Sequence, residues 1–145
     1  MFKTCYGLFM YRLIEHTADM GIEARSSSLT GVLLDMAKGL KSLIFGESRA
    51  LAKLDTEVTV QAQDLTELLV CWLNEVVYWS EKDSLIPAEF RIDLLTDTVL
   101  RATVTGEALD SMRHTVERQV KSVTYHRACL EKVPGGWYAR VYVDL

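Results

Sequence analysis

Two periodicities alternate along the chain, one of two residues and one near 3.6, and their order predicts the architecture. Tyr11-Arg12-Leu13-Ile14-Glu15 and Gly21-Ile22-Glu23-Ala24-Arg25 alternate as strands, the second with Ile22 and Ala24 on one face. Ser26-Ser27-Ser28 then offers side-chain oxygens to the first amides of a helix. From Leu29 onward Val32, Leu33, Met36, Leu40, Leu43 and Ile44 form one stripe, and Gly46 is placed to end it. Leu54 to Ala62 alternates again. Asp64 and Glu67 have capping-box spacing, and Leu65, Leu68, Leu69, Trp72, Leu73, Val76 and Trp79 make the broadest helical stripe, ending near Lys82-Asp83. Pro87 predicts a break before a strand over Phe90–Leu94. Thr96-Asp97 is a turn, and Leu100, Ala102 and Val104 give the return strand as far as Gly106. Ala108 to Gln119 has no clean period and reads as a loop or short helix. Val120 to Val133 is rich in β-formers, Pro134-Gly135-Gly136 is a turn, and Trp137 to Leu145 closes the chain as a strand. There Trp137, Ala139, Val141 and Val143 share one face, and Tyr138, Arg140, Tyr142 and Asp144 the other. Hairpins imply antiparallel pairing and the two long amphipathic helices imply cover for a sheet, so the expectation is one α+β domain.

Composition changes this picture little. The chain has 145 residues, of which 49% are hydrophobic and 25% charged, which suits a single globular domain. Three cysteines, Cys5, Cys71 and Cys129, form no CxxC pair and read as buried free thiols of a reducing cytoplasm. No apolar run approaches the ~20 residues of a membrane helix. Residues 1–9, with one lysine and a short apolar patch, make a poor signal peptide. They read instead as an extension from an upstream start, with Met10 as the natural first residue. The net charge of −4 disfavours independent binding to nucleic-acid phosphates. A local basic strip, Arg113, His114, Arg118, Lys121 and Arg127, is the exception.

Chemistry concentrates at the ends of the chain. Glu15-His16-Thr17-Ala18-Asp19-Met20-Gly21 lies where one strand hands over to the next. It is either a capped turn, since Asp and Gly suit turns for local reasons, or a small ligand site. Asp144 and Leu145 bring two negative groups to the close of the last strand, if Leu145 carries the α-carboxylate. Were the first and last strands neighbours, Asp19 would join them. Such an oxygen-only cluster suits a hard divalent ion of the Ca²⁺ or Mg²⁺ type, not zinc. The alternative is a solvated Asp144 at a fraying end. His16 lies close enough in sequence to support a ligand, and His126 sits in a strand; each is also an ordinary structural histidine. No nucleophile elbow, P-loop or catalytic triad pattern occurs.

Three blocks together carry a resemblance. Glu15 to Ile22 resembles the opening signature of the archease family, Val120-Lys121-Ser122-Val123-Thr124-Tyr125-His126 its second block, and Gly135 to Leu145 its close. The match runs in order from about Met10 to Leu145. The resemblance implies a cytoplasmic, non-enzymatic accessory protein of the RtcB-type tRNA-splicing ligase, which joins RNA ends using GTP. Archeases promote guanylylation of the ligase histidine and allow multiple turnover, and they can broaden its nucleotide use. RNA is then met indirectly, through the ligase. The resemblance also implies a divalent ion held by Asp19 and Asp144, with Leu145 contributing oxygen. Lys121, His16 and His126 belong to the same motifs without an assigned role. The family usually has Ile or Val where Met20 stands, and commonly Gly where Arg127 stands. Two other classes fit the residues less well. One is an RNA-processing chaperone gripping RNA through the basic strip, and the other a small metal-dependent hydrolase with His16 as base.

Overall fold

The computed structural model describes residues 2–5, 11–15 and 20–145. Its elements run β1 (Phe2–Cys5), β2 (Tyr11–Glu15), β3 (Met20–Ser26), α1 (Leu29–Phe45), β4 (Leu54–Gln61), α2 (Leu65–Lys82), β5 (Leu85–Leu95), β6 (Val99–Ala108), β7 (Ser122–Val133) and β8 (Gly136–Asp144). All described pairings are antiparallel, in a five-stranded sheet ordered β1-β2-β3-β8-β7 and a three-stranded sheet ordered β4-β6-β5. The fold is α+β, as the alternation of periods predicts, but the strands divide between two sheets. Between those sheets lie the helices. α1 packs on β2, β3 and β8 of the larger sheet and on β5 of the smaller, while α2 packs on β7 and on β4, β5 and β6.

This layering follows from the helical stripes, which are too wide for one sheet to cover. Trp72, wholly buried, shows the arrangement best. Its indole N–H donates to Leu33 O of α1 at 3.1 Å, and its ring meets Phe90 of β5 edge-on, centroids 6.1 Å apart. Aromatic bulk and a satisfied polar edge thus join both helices to the smaller sheet.

Local sequence sets the ends of the elements. Ser28 Oγ accepts from Gly31 N at 2.9 Å at the start of α1, and Gly46, at φ +59°, closes it with its N–H on Ser42 O. Asp64 Oδ1 accepts from Glu67 N at 2.8 Å, while Glu67 reaches back to Gln63 N at 3.0 Å. Glu67 therefore serves the residue before the cap, a one-residue variant of the expected box.

Two expectations need correction, that of a break at Pro87 and that of fully buried thiols. Pro87 does not break the chain but lies inside β5, at a register shift between Pro87 and Glu89. β5 is an edge strand, where a missing N–H interrupts no ladder, and bulges are where prolines are tolerated. Residues 2–5, within the stretch read as an upstream extension, pair with Tyr11–Ile14 as an edge strand. Of the thiols, Cys71 and Cys129 are free but half-buried; the side chain of Cys5 lies outside the described residues.

The aperiodic stretch after β6 is a strap and not a helix. It turns at Asp110, whose C=O accepts from His114 N at 2.7 Å, and then crosses the end of α1, where Glu117 N donates to Ile44 O at 2.7 Å. It arrives at Lys121, whose N–H donates to Asp144 O at 2.8 Å. No described helix is long and apolar enough to cross a membrane.

Candidate functional site

Parts of the three sequence blocks lie on three adjacent strands, Met20–Ile22 on β3, Gly136–Asp144 on β8 and Ser122–His126 on β7, with β8 between the other two. Met20, Val143 and Val123 form one row across them, since Val143 pairs with Met20 on one side and with Val123 on the other. One residue further along β8, Asp144 pairs with Ser122. Asp144 and Leu145 are exposed there, and Lys121 is exposed beside them. His16 and Asp19 lie outside the described residues. What the structure does fix is that Met20, covalently bonded to Asp19, pairs with Val143, covalently bonded to Asp144. Among the described residues no three His, Cys, Asp or Glu side chains are grouped to hold an ion.

Close backbone packing holds this end of the sheet. A Cβ on Gly21 would lie 2.9 Å from Val141 O and 2.9 Å from Tyr142 Cδ1, so the Tyr142 ring crosses the position that a side chain would need. Arg127 covers that ring from β7, its guanidinium 5.1 Å from the centroid. β7 bulges here: Thr124 pairs with Tyr142 and Cys129 with Arg140, so four residues, 125 to 128, face Val141 alone. Arg127 sits in the bulge at φ +61°, the left-handed region that glycine enters at lower cost. The bulge turns Tyr125 and His126 to the surface. The Tyr125 hydroxyl lies 3.7 Å from Cys71 Sγ; desolvation first, and then that neighbour, push the phenol up to about 12, so it is neutral at ordinary pH.

β7 is also an edge strand, and α2 satisfies its free side. Asn74 donates through Nδ2 to Val123 O at 2.9 Å and accepts through Oδ1 from Val123 N at 2.8 Å. The sequence reading passed over Asn74. Its one signal was a lone amide among the apolar residues of that helix. Asn74→Ala strands both backbone groups, so we expect about 1–3 kcal/mol lower stability in urea unfolding. The amide of Val123 should also exchange faster with solvent.

A second cluster holds the strap. Glu107 of β6, 2% exposed, is bound by the Arg113 guanidinium, accepts from Leu51 N at 2.6 Å, and has Lys53 Nζ at 3.8 Å. Buried His114 accepts from Asp110 N through Nδ1 at 2.9 Å, which leaves its proton on Nε2, facing Glu107 at 3.3 Å. The Arg113 hydrogen bond, then the Leu51 amide, hold the Glu107 carboxyl down at about 2. This cluster takes Arg113 and His114 out of the basic strip. Arg118 lies 3.7 Å from Glu117, Arg127 is laid on Tyr142, and Lys121 stands exposed next to Asp144.

Comparison with known proteins matches this geometry to one group. The family model described as the Archease protein family matches residues 11–145. A protein named archease from Methanosarcina mazei is 31% identical over 93% of this chain and 95% of that protein. Another, from Methanopyrus kandleri, is 33% identical over 91% and 96%. Among solved structures, Methanobacterium thermoautotrophicum protein 1598 superposes with a TM-score of 0.72 at 24% identity, covering 95% of this chain and all of that one. An archease from Thermotoga maritima, described as a possible chaperone, gives 0.61 at 18% identity, over 91% of this chain and 94% of that one. At these identities the two structures speak for the fold.

Proposed function

The chain belongs to the archease family, and from that membership we propose that it is an accessory protein of an RtcB-type RNA ligase in tRNA splicing and RNA repair. It promotes guanylylation and turnover of the ligase and performs no catalysis itself. The observation that carries the reading is the convergence of all three sequence blocks on one row, Met20–Val143–Val123, at one end of the larger sheet.

Asp19 and Asp144, with an oxygen of Leu145, would hold a divalent ion of the Ca²⁺ or Mg²⁺ type. The donor set fits, because every candidate atom is oxygen and Asp144 is exposed. Such an ion, when bound, would supply positive charge to nucleotide or substrate phosphates. The chain's own contribution is placement. Gly21 and Tyr142 fix the spacing of β3 and β8, Asn74 pins β7, and the Lys121–Asp144 backbone bond ties the strap to the acidic end. Exposure at a sheet end leaves the site open to the active-site mouth of a partner.

Direct RNA binding by the basic strip has weaker support, since Arg113 and His114 are occupied by Glu107. The hydrolase reading depends on His16, outside the described residues. The test is to follow ligase guanylylation and multiple-turnover RNA joining, with GTP and divalent ion, with and without this protein. We expect a clear rise in both. No change in either would remove the ligase from the proposal.

A further inference from the structure

Away from the acidic end of the sheet, a cleft of about 790 Å³ opens between the C-terminal half of α1, the segment after Gly46 and β5. It lies at the Tyr11 end of β2, where Tyr11 pairs with Ala24, four residues along the strand from the Glu15–Met20 pair. Its volume is that of a small-molecule site. Three cations line it: Lys38, Lys41 and Arg49. Lys38 has Asp35 at 4.0 Å, and Arg49 stands exposed at the rim. Lys41 is half-buried in the wall, where burial lowers its ammonium below the usual lysine range and Glu89, acting through space, only partly offsets this. Among the described residues Lys41 has no ion pair, and a desolvated ammonium is stabilised by an anion that reaches it.

The end of α1 does not oppose this. A helix C-terminus ordinarily presents bare carbonyls to an anion. Here Ser42 O is taken by Gly46 N, Ile44 O by Glu117 N and Phe45 O by Ser48 N. The remaining wall is mixed in a particular way. Half-buried Phe90 and the small exposed part of Tyr11 provide aromatic surface, and the carboxylates of Glu47 and Glu89 can accept from hydroxyl or amino groups. Cations, aromatic surface and carboxylates in one cleft, too large for a lone phosphate, match a phosphorylated ring system bearing hydroxyls.

We propose that this cleft binds a nucleoside phosphate, its phosphates on Lys41 and Arg49. The site needs neither ligase nor divalent ion, so its test is independent of the function proposed above. The full-length protein in EDTA is titrated calorimetrically with GTP, ATP and inorganic phosphate. We expect at least one nucleotide to bind more tightly than about 1 mM, and phosphate alone much more weakly. Losing one charge-assisted contact should weaken the nucleotide roughly tenfold or more in Lys41→Met. Arg49→Met, at an exposed position where folding is not at stake, should weaken it in the same direction. Arg91→Met, in the exposed Arg91–Asp93 pair of β5, should leave binding unchanged. Absence of binding at several millimolar would overturn the proposal. So would parent-like affinity in both cleft variants, or phosphate binding as tightly as the nucleotides.

Discussion

Asp144→Ala should fold normally and fail to stimulate the ligase. Asp144 is exposed at the last position of β8, and its backbone C=O, the group that holds Lys121 N, survives the substitution. Stability without an ion should therefore change by no more than about 0.5 kcal/mol. With an ion the two proteins should part. A ligand that binds only the folded state stabilises it by about 2.7 kcal/mol at one hundred times its dissociation constant. Calcium or magnesium should thus raise the melting temperature of the parent protein and leave that of the variant flat. Even neighbours of a metal ligand change affinity by about 10–100-fold when replaced, so removing the ligand itself should exceed the upper figure. Asp19→Ala should behave identically, because one ion needs both side chains. If both folded variants activate guanylylation fully, the acidic end of the sheet has no part in the mechanism.

The elements were legible because each is specified by its own local pattern. Ser28, Gly46 and Asp64 cap where they should, and Ile22, Ala24, Ala139 and Val141 are buried as alternation requires. The division into two sheets was not legible. It is decided by which strand each side of a helix meets, and periodicity does not record partners across the core. Pro87 misled because its tolerance depends on β5 being an edge strand, a property of the finished sheet. At the site, Asp144 and Leu145 stood out as negative groups at the close of the last strand and again through the family resemblance, which also marked Lys121, and the strand order supplied the adjacency of β3, β8 and β7. The supports were missed: Asn74, Glu107 and His114 act on backbone or buried partners 4 to 56 residues distant in sequence, and no short motif encodes that reach. The strip of Arg113, His114, Arg118, Lys121 and Arg127 shows the converse. It read as a basic surface, yet Arg113, at the surface, is paired with buried Glu107, and His114 is buried against the same carboxylate.

That cluster makes acid the sharpest probe of the strap. The Glu107 carboxyl ordinarily titrates at 4.5 and is held at about 2 in the folded protein. Because the folded value is depressed, its stabilising contribution is complete above 4.5 and is lost as pH falls from there through about 2, since the unfolded chain takes up the proton first. Asp110, lowered by the Met112 amide and then by Arg113, and Asp93, lowered by Arg91 and then by the Thr103 hydroxyl, add to the same acid limb. Asp35 runs the other way: burial raises it, so its protonation relieves a penalty, and the loss measured below 4.5 is the balance of these groups. Glu107→Gln keeps the side chain's size and removes its charge. It should lower stability at neutral pH and flatten the decline between 4.5 and 2 in denaturant titrations. The damage should be local first. Leu51 N, Arg113 and His114 lose their charged partner, so the strap from 109 to 121 loosens and the amides of Glu117 and Lys121 exchange faster. The amide of Ile22, in the wholly buried centre of the larger sheet, should keep its protection. Ligase stimulation should weaken without vanishing, because Lys121 meets Asp144 through the end of this strap. An acid limb as steep in Glu107→Gln as in the parent would mean that the strap is held by something other than this carboxylate.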